Sequence, residues 1–261
     1  MDLKSKIILI YGPTASGKSK FAIKLAKKIS GQIINADSMQ VYKELKVLTA
    51  RPSKIDLKKI EHHLYGFRSV KKEFSSGEWL QLANKNIKKI RDKNKIPILV
   101  GGTGPYFKAL TDGLVKIPKI PISVRDKIRK MQNKLGQKKF YYKLLKIDPS
   151  VKNRIDPTDA QRSIRAYEVI SISKKSIFEW YKKTKPSFRN DQFIKIYIDY
   201  PRDELISKIS KRVDQMMKNG AIQEVKDFLK LNLKSDSNIF KVIGIRAVSY
   251  THLTLPTKRI V

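Results

Sequence analysis

KIILIYGPTASGKSKFAIKLAKKI, residues 6–29, carries three structural signals in succession. Lys6 to Tyr11 is a short β-branched run without alternation, the pattern of a strand buried on both faces of a parallel sheet. Gly12-Pro13-Thr14-Ala15-Ser16-Gly17-Lys18-Ser19 then satisfies G-x-x-x-x-G-K-[ST] at every fixed position. Phe21, Ala22, Leu25, Ala26 and Ile29 follow at helical spacing. Strand, glycine loop and helix in that order make a phosphate cradle. The glycines let successive N–H groups converge on phosphate oxygens, the helix N-terminus adds its positive end, and Lys18 neutralises charge. Ser19 stands where the motif holds Mg²⁺. The loop by itself does not select a diphosphate over a triphosphate.

Outward from this segment the same alternation continues. Gln32 to Ala36 (QIINA) reads as a second strand ending at Asp37. Trp79, Leu82, Ala83, Asn86, Ile87 and Ile90 form a helical stripe, followed by the strand Ile96 to Val100 and the turn Gly101-Gly102-Thr103-Gly104. Strands alternating with helices predict an open, mostly parallel α/β sheet. From 113 to 190 the pattern turns helical apart from the connector Lys116 to Ile122. Phe193 to Ile198 then returns to the sheet, and Leu205, Ile206, Ile209, Val213, Met216 and Met217 mark the next helix. The expected organisation is a discontinuous catalytic core, 1–112 with 191–247, interrupted by a helical insertion at 113–190.

Charge narrows the class of partner. The 261 residues carry 57 Lys and Arg against 23 Asp and Glu, a net charge of +34, with 41% apolar residues. That apolar fraction excludes a disordered chain, and the charge points to a polyanion, nucleic acid before membrane. The predicted insertion is the denser part, with 21 Lys and Arg against 6 Asp and Glu. Cysteine is absent, which excludes disulfides and thiolate metal sites. His62, His63 and His252 lack metal-ligand spacing. The apolar run from Ile7 stops at Gly12-Pro13, too short for a signal peptide or a membrane span, so the expected location is cytoplasmic.

Asp37 closes the second strand, at the sheet edge where open α/β proteins bind ligands. Position alone leaves three roles open to it: general base, magnesium ligand, or turn and helix-cap residue. Asp199 after Ile198 is a formal metal ligand, but Pro201 makes it a turn residue. No other strand ends in the acidic residue that a nucleotide-hydrolysing enzyme needs.

GPTASGKS (12–19), NADSMQVY (35–42), GGTG-x-Y-x-x-AL (101–110), RIDPTDAQRSIRAYEV (154–169) and VIGIRA (242–247) together resemble the bacterial tRNA dimethylallyltransferases, in order and at the family's spacing. The resemblance spans residues 6–247. It implies a P-loop NTPase-like core with an all-helical insertion that binds tRNA. The implied reaction is transfer of a dimethylallyl group from its diphosphate to N6 of the adenine 3′ of the anticodon. On this resemblance Asp37 is the general base, Thr14 an active-site hydroxyl and Arg212 a diphosphate ligand. Gly12 to Ser19 cradle the diphosphate with Mg²⁺ on Ser19. Asp37, Ser38, Met39 and Gln40 read the target base, and Thr103, Arg125 and the run Gln161, Arg162, Ser163, Ile164, Arg165 contact tRNA. The partners implied are the tRNA anticodon stem-loop and dimethylallyl diphosphate, with no membrane and a monomeric chain. The competing readings are a P-loop kinase of a small metabolite, an adenylate-prenylating enzyme, and a non-catalytic RNA-binding fragment.

Two departures stand out. Leu48 occupies the place of a family glycine, where a left-handed backbone would be strained. Val248 to Val261 (VSYTHLTLPTKRIV) reads as a translated sequencing adapter, which predicts that the resemblance ends at Ala247 and that the family's C-terminal helices, rich in Arg and Gln, lie beyond it.

Overall fold

In the computed structural model, residues 3–115, 117–233, 238–242 and 244–250 are described. The chain divides into two compact units, residues 1–111 with 187–261, and residues 112–186.

The first unit is built on five parallel strands, β1 (Ile7–Tyr11), β2 (Gly31–Asn35), β3 (His62–His63), β4 (Ile96–Val100) and β5 (Phe193–Tyr197), in the order β3-β2-β4-β1-β5. Strand parity sorts their side chains. Ile8, Ile10, Ile33, Ile96, Ile98 and Val100 pack with Ala22 and Ala26 of α1 (Lys18–Lys28). Ile7, Leu9, Ile34 and Leu99 pack on the other face against Trp79, Ala83, Ile87 and Ile90 of α3 (Ser76–Asp92) and Tyr106 and Leu110 of α4 (Gly104–Thr111). Helices on both faces explain why β1 and β4 read as unbroken apolar runs; β2 is equally buried but carries the polar Gln32 and Asn35. A Ser75–Glu78 capping box starts α3 where sequence periodicity begins, and Trp79 Nε1 donates to the Asn35 carbonyl at 2.8 Å, tying α3 to the end of β2.

Two elements of this unit escaped the sequence. The helix α2 (Lys54–Lys59) buries no residue, and β3 is only two residues long, too short to show a period. The helix α8 (Arg202–Lys218) also departs from expectation: its stripe predicts a buried face, yet Ile206, Ile209 and Val213 are exposed and only Met216 and Met217 join a core cluster. That cluster gathers Leu45, Leu48 and Val70 with Val225 and Phe228 of α9 (Ala221–Leu229) and Ile245 of α10 (Ile245–Val248). Leu48 is buried there without a positive φ; the left-handed residue of this turn is Ala50 at φ 47°. Val248, the first residue of the expected foreign tail, is buried in the same cluster. Residues 251–261 of that tail lie outside the described residues.

The second unit is helical: α5 (Ile122–Ile147), bent at Gly136, packs with α6 (Ala160–Ser173) and α7 (Ile177–Lys182) around Tyr141, Leu144, Val151, Ala166, Val169 and Ile177. It ends at 186, four residues earlier than the composition suggested. The reason is local to the first unit: Phe188 packs on its core beneath Arg91, and Ser187 accepts from Asn84 at 2.9 Å. Among the described residues no helix is long and apolar enough to cross a membrane.

Candidate active site

Strand order sets the geometry of the site. Ile10, Val100 and Asn35 are aligned across β1, β4 and β2, so the glycine loop after β1 and Asp37 after β2 leave the same edge of the sheet. Between them stands β4, which puts them about 10 Å apart, two strand spacings. It is followed by Gly101, which lines the gap and has no side chain to crowd it. A Cβ on Gly101 would lie 2.1 Å from the Ala36 carbonyl oxygen, and one on Gly12 2.4 Å from that of Ile198. The result is a cavity of about 410 Å³ lined by Thr14, Ala15, Gly17, Lys18 and Ser19 of the loop, by Asp37 and Gln40, by Tyr65 and Gly101, and by Lys208 and Arg212 of α8.

The loop is shaped for an anion. Gly17, left-handed at φ 88°, stands at the N-cap of α1, and Ala15 also has φ 64°. Lys18 Nζ folds back on the carbonyls of Gly12, at 2.9 Å, and Pro13. The Ser16 hydroxyl is buried and has no hydrogen-bond partner among the described residues. Burial lowers the Lys18 ammonium below the usual lysine range, Asp37 pushes it back up and Arg212 pulls it down. Arg212 is likewise lowered by burial and raised by Asp37.

Asp37 is held from both sides by the fully buried Asn35. Asn35 Oδ1 accepts from the Asp37 N–H at 2.8 Å, while its Nδ2 donates to the carbonyls of Asp37 and Leu64 at 2.9 and 3.0 Å. Asp37 Oδ1 accepts from the Met39 N–H at 2.8 Å, which leaves Oδ2 without a donor among the described residues. Thr103 Oγ1 accepts from the Ser38 N–H at 2.9 Å, so these two expected RNA contacts form one turn-to-turn link. Burial, reinforced by Asp37, raises the Tyr65 hydroxyl far above its usual range and keeps it protonated. Four cations, Lys18, Lys20, Lys208 and Arg212, and one carboxylate, Asp37, line the cavity. The Ser19 hydroxyl fits Mg²⁺, which uses few protein oxygens and completes its shell with water and phosphate. Asp199 is exposed, spends Oδ1 on the Tyr200 N–H and does not line the cavity.

Lys208 and Tyr65 were missed by sequence reasoning. Lys208 had a signal, lying four residues before Arg212 on one helix face. Tyr65 had none, because only the pairing of β3 with β2 brings it to this edge.

The remaining expected contacts belong to the second unit. Gln161 is exposed and Arg162 projects from α6 with its side chain 72% exposed, near Asp159 at 3.4 Å. Arg165 donates to the buried Glu168 at 3.2 Å. Ile164 is half-buried, and Arg125 has a buried Nε without a partner among the described residues. Ser163 is a correction: it is fully buried and its hydroxyl accepts from Gln137 at 3.2 Å, because it lies on the inner face of α6, one turn before Ala166. It packs the helix pair and presents no surface to RNA.

The family profile described as IPP transferase matches residues 40–257, ten residues past the Ala247 at which the resemblance was expected to end. The tRNA dimethylallyltransferase of Pelagibacter ubique is 60% identical over 245 residues, 94% of this chain and 78% of the relative. The tRNA dimethylallyltransferase of Agrobacterium fabrum is 40% identical over 250 residues, covering 95% and 84%. Among solved structures, a eukaryotic dimethylallyltransferase acting on tRNA superposes with TM-score 0.79 at 27% identity, covering 92% of this chain and 61% of that one. The tRNA isopentenylpyrophosphate transferase of Bacillus halodurans superposes with TM-score 0.62 at 30% identity, covering 94% and 77%. With a parallel sheet, a glycine-loop anion cradle and a profile match over most of its length, this chain belongs to the IPP transferase family.

Proposed function

We propose that this protein transfers a dimethylallyl group from dimethylallyl diphosphate to the exocyclic N6 of the adenine 3′ of the anticodon in tRNA, releasing diphosphate. The observation that carries the proposal is the sharing of one cavity by the anion cradle and the Asp37 carboxylate. The names of the relatives support the same chemistry.

In this reading the diphosphate sits on backbone N–H groups of the glycine loop, 12–19, with Lys18 and Arg212 as further donors. As the allylic C–O bond breaks, its electron pair leaves with the diphosphate, whose growing charge meets these prearranged groups. The N6 lone pair, delocalised into the ring and therefore weakly nucleophilic, forms the new C–N bond while Asp37 Oδ2 takes the N6 proton. Thr14 on the cavity wall is a hydrogen-bond partner for diphosphate or amine. Mg²⁺, which Ser19 would hold, would supply charge neutralisation to the departing diphosphate. Gln40, Met39 and Ser38 contact the base, Thr103 supports Ser38, and Arg125, Gln161, Arg162 and Arg165 bind the RNA backbone or stack on unpaired bases.

The test is incorporation of labelled dimethylallyl into an anticodon stem-loop RNA, with AMP as a parallel acceptor. The expected result is product on RNA and a loss of about 10²–10⁴-fold in kcat for Asp37→Ala. Product on AMP alone would support adenylate prenylation instead, and ATP consumption without RNA would support a kinase.

A further inference from the structure

The wall of the cavity is formed in part by Gln40 and Ala50, and the turn that holds both is tied to a side chain far away in sequence. Glu224, in the first turn of α9, accepts from three consecutive backbone N–H groups: Oε2 from Lys46 and Val47, both at 2.7 Å, and Oε1 from Leu48 at 2.9 Å. Three charge-assisted bonds to one carboxylate tie the backbone of residues 46–48 to α9. The other edge of that turn presents carbonyls. Gln40 Nε2 donates to those of Thr49 at 2.8 Å and Ala50 at 3.2 Å, so both amide hydrogens are consumed. An amide held in this way cannot flip, and its Oε1 takes no donor among the described residues. Ala50 sits at φ 47°, a conformation alanine adopts only under such constraint.

We propose that Glu224 is a positioning residue for base recognition: by clamping residues 46–48 it sets the turn whose carbonyls orient Gln40, so that Gln40 Oε1 is presented to the cavity as an acceptor for the amino edge of the base. The device rests on the prenyl-transfer reading for the identity of the base, but the clamp itself can be measured without RNA. Apolar packing of Leu45 and Leu48 on α9 is the alternative holder of the turn. Packing supplies no directional constraint on the Gln40 amide, whereas the carboxylate fixes each N–H vector.

The experiment uses the full chain with Glu224→Gln, Glu224→Asp, Gln40→Met and the double variant Glu224→Gln/Gln40→Met. Hydrogen exchange at the amides of residues 46–48 reads the clamp, titration with inorganic pyrophosphate reads the anion cradle, and steady-state kinetics with a stem-loop RNA read the base site. Expected for Glu224→Gln are exchange faster by about tenfold, KM for RNA raised by about tenfold and pyrophosphate affinity within about twofold of wild type. Glu224→Asp, which keeps the charge but withdraws it by one methylene, should fall between. In the Gln40→Met background Glu224→Gln should add less than about threefold to KM, since both act through one amide. Unchanged exchange, a parallel loss of pyrophosphate and RNA affinity, full additivity in the double variant, or failure of both Glu224 variants to fold would each overturn the proposal. Faster exchange with no prenylation of any RNA by wild type would instead leave the clamp standing and refute the prenyl-transfer reading.

Discussion

Adding one methyl group at Gly101 should disable the site from its own floor. A Cβ there would lie 2.1 Å from the oxygen and 2.2 Å from the carbon of the Ala36 carbonyl, and 2.8 Å from the Asp37 nitrogen. The shortest ordinary contact is 3.4 Å, so one of the two backbones must retreat by about 1.3 Å. Neither moves freely. The Ala36 N–H donates to Val100 at 2.8 Å, its carbonyl accepts from Thr103 at 3.2 Å, and Gly101 donates to Ile10 at 3.2 Å. The retreat therefore displaces the residue that carries the proposed base. A misplacement of ~1 Å at a reacting group costs on the order of 100-fold, and overpacking of this kind costs about 1–3 kcal/mol of stability. Gly102→Ala is the internal control, because the atom nearest its added Cβ is the Gly12 carbonyl oxygen at 3.9 Å. Steady-state prenylation of a stem-loop RNA should show kcat down by about two orders of magnitude for Gly101→Ala and within about threefold of wild type for Gly102→Ala, with a lowered denaturation midpoint for the first only. Equal kcat values in the two variants would refute the argument that the bare end of β4 creates the space between cradle and carboxylate.

Pyrophosphate binding should take up protons at alkaline pH. Burial holds the Lys18 ammonium below the lysine value of 10.5 in the free protein, and an anion in the cradle favours the charged form and raises it again. Between those two values the complex binds more protons than the free protein, so calorimetric enthalpies in buffers of different ionisation heat should reveal uptake, and release would contradict the placement of Lys18. Asn35→Ala should cost roughly 1–3 kcal/mol in chemical denaturation, since the Asp37 N–H and the Leu64 carbonyl lose their partner. The same variant should lower kcat while leaving pyrophosphate affinity near wild type; a loss in affinity alone would place its role in the cradle rather than at Asp37.

The parts of this protein that are legible in the sequence are those whose physics is local. The loop 12–19 declares itself because left-handed backbone, converging N–H groups and an adjoining helix are properties of consecutive residues. The strands at 7–11 and 96–100 do so because burial on both faces leaves a run without charged or amide side chains, while 31–35 shows only Ile33 and Ile34 between the buried polar Gln32 and Asn35. The helix α8 misleads for the converse reason: periodicity reports an apolar stripe whether or not a partner covers it, and Ile206, Ile209 and Val213 remain exposed.

Tertiary structure alone decided what lies between the cradle and Asp37. Nothing in the spacing of 12–19 and 37 places β4 between β1 and β2, yet that insertion sets the gap, makes Gly101 indispensable and brings three strand ends to one edge. Tyr65 reaches the cavity through a two-residue strand, and Glu224 reaches residues 46–48 across 176 or more positions of chain. Pairing of this kind is selected by the packing of whole layers and by hydrogen bonds between distant segments, neither of which leaves a period or a motif in the residues that make it.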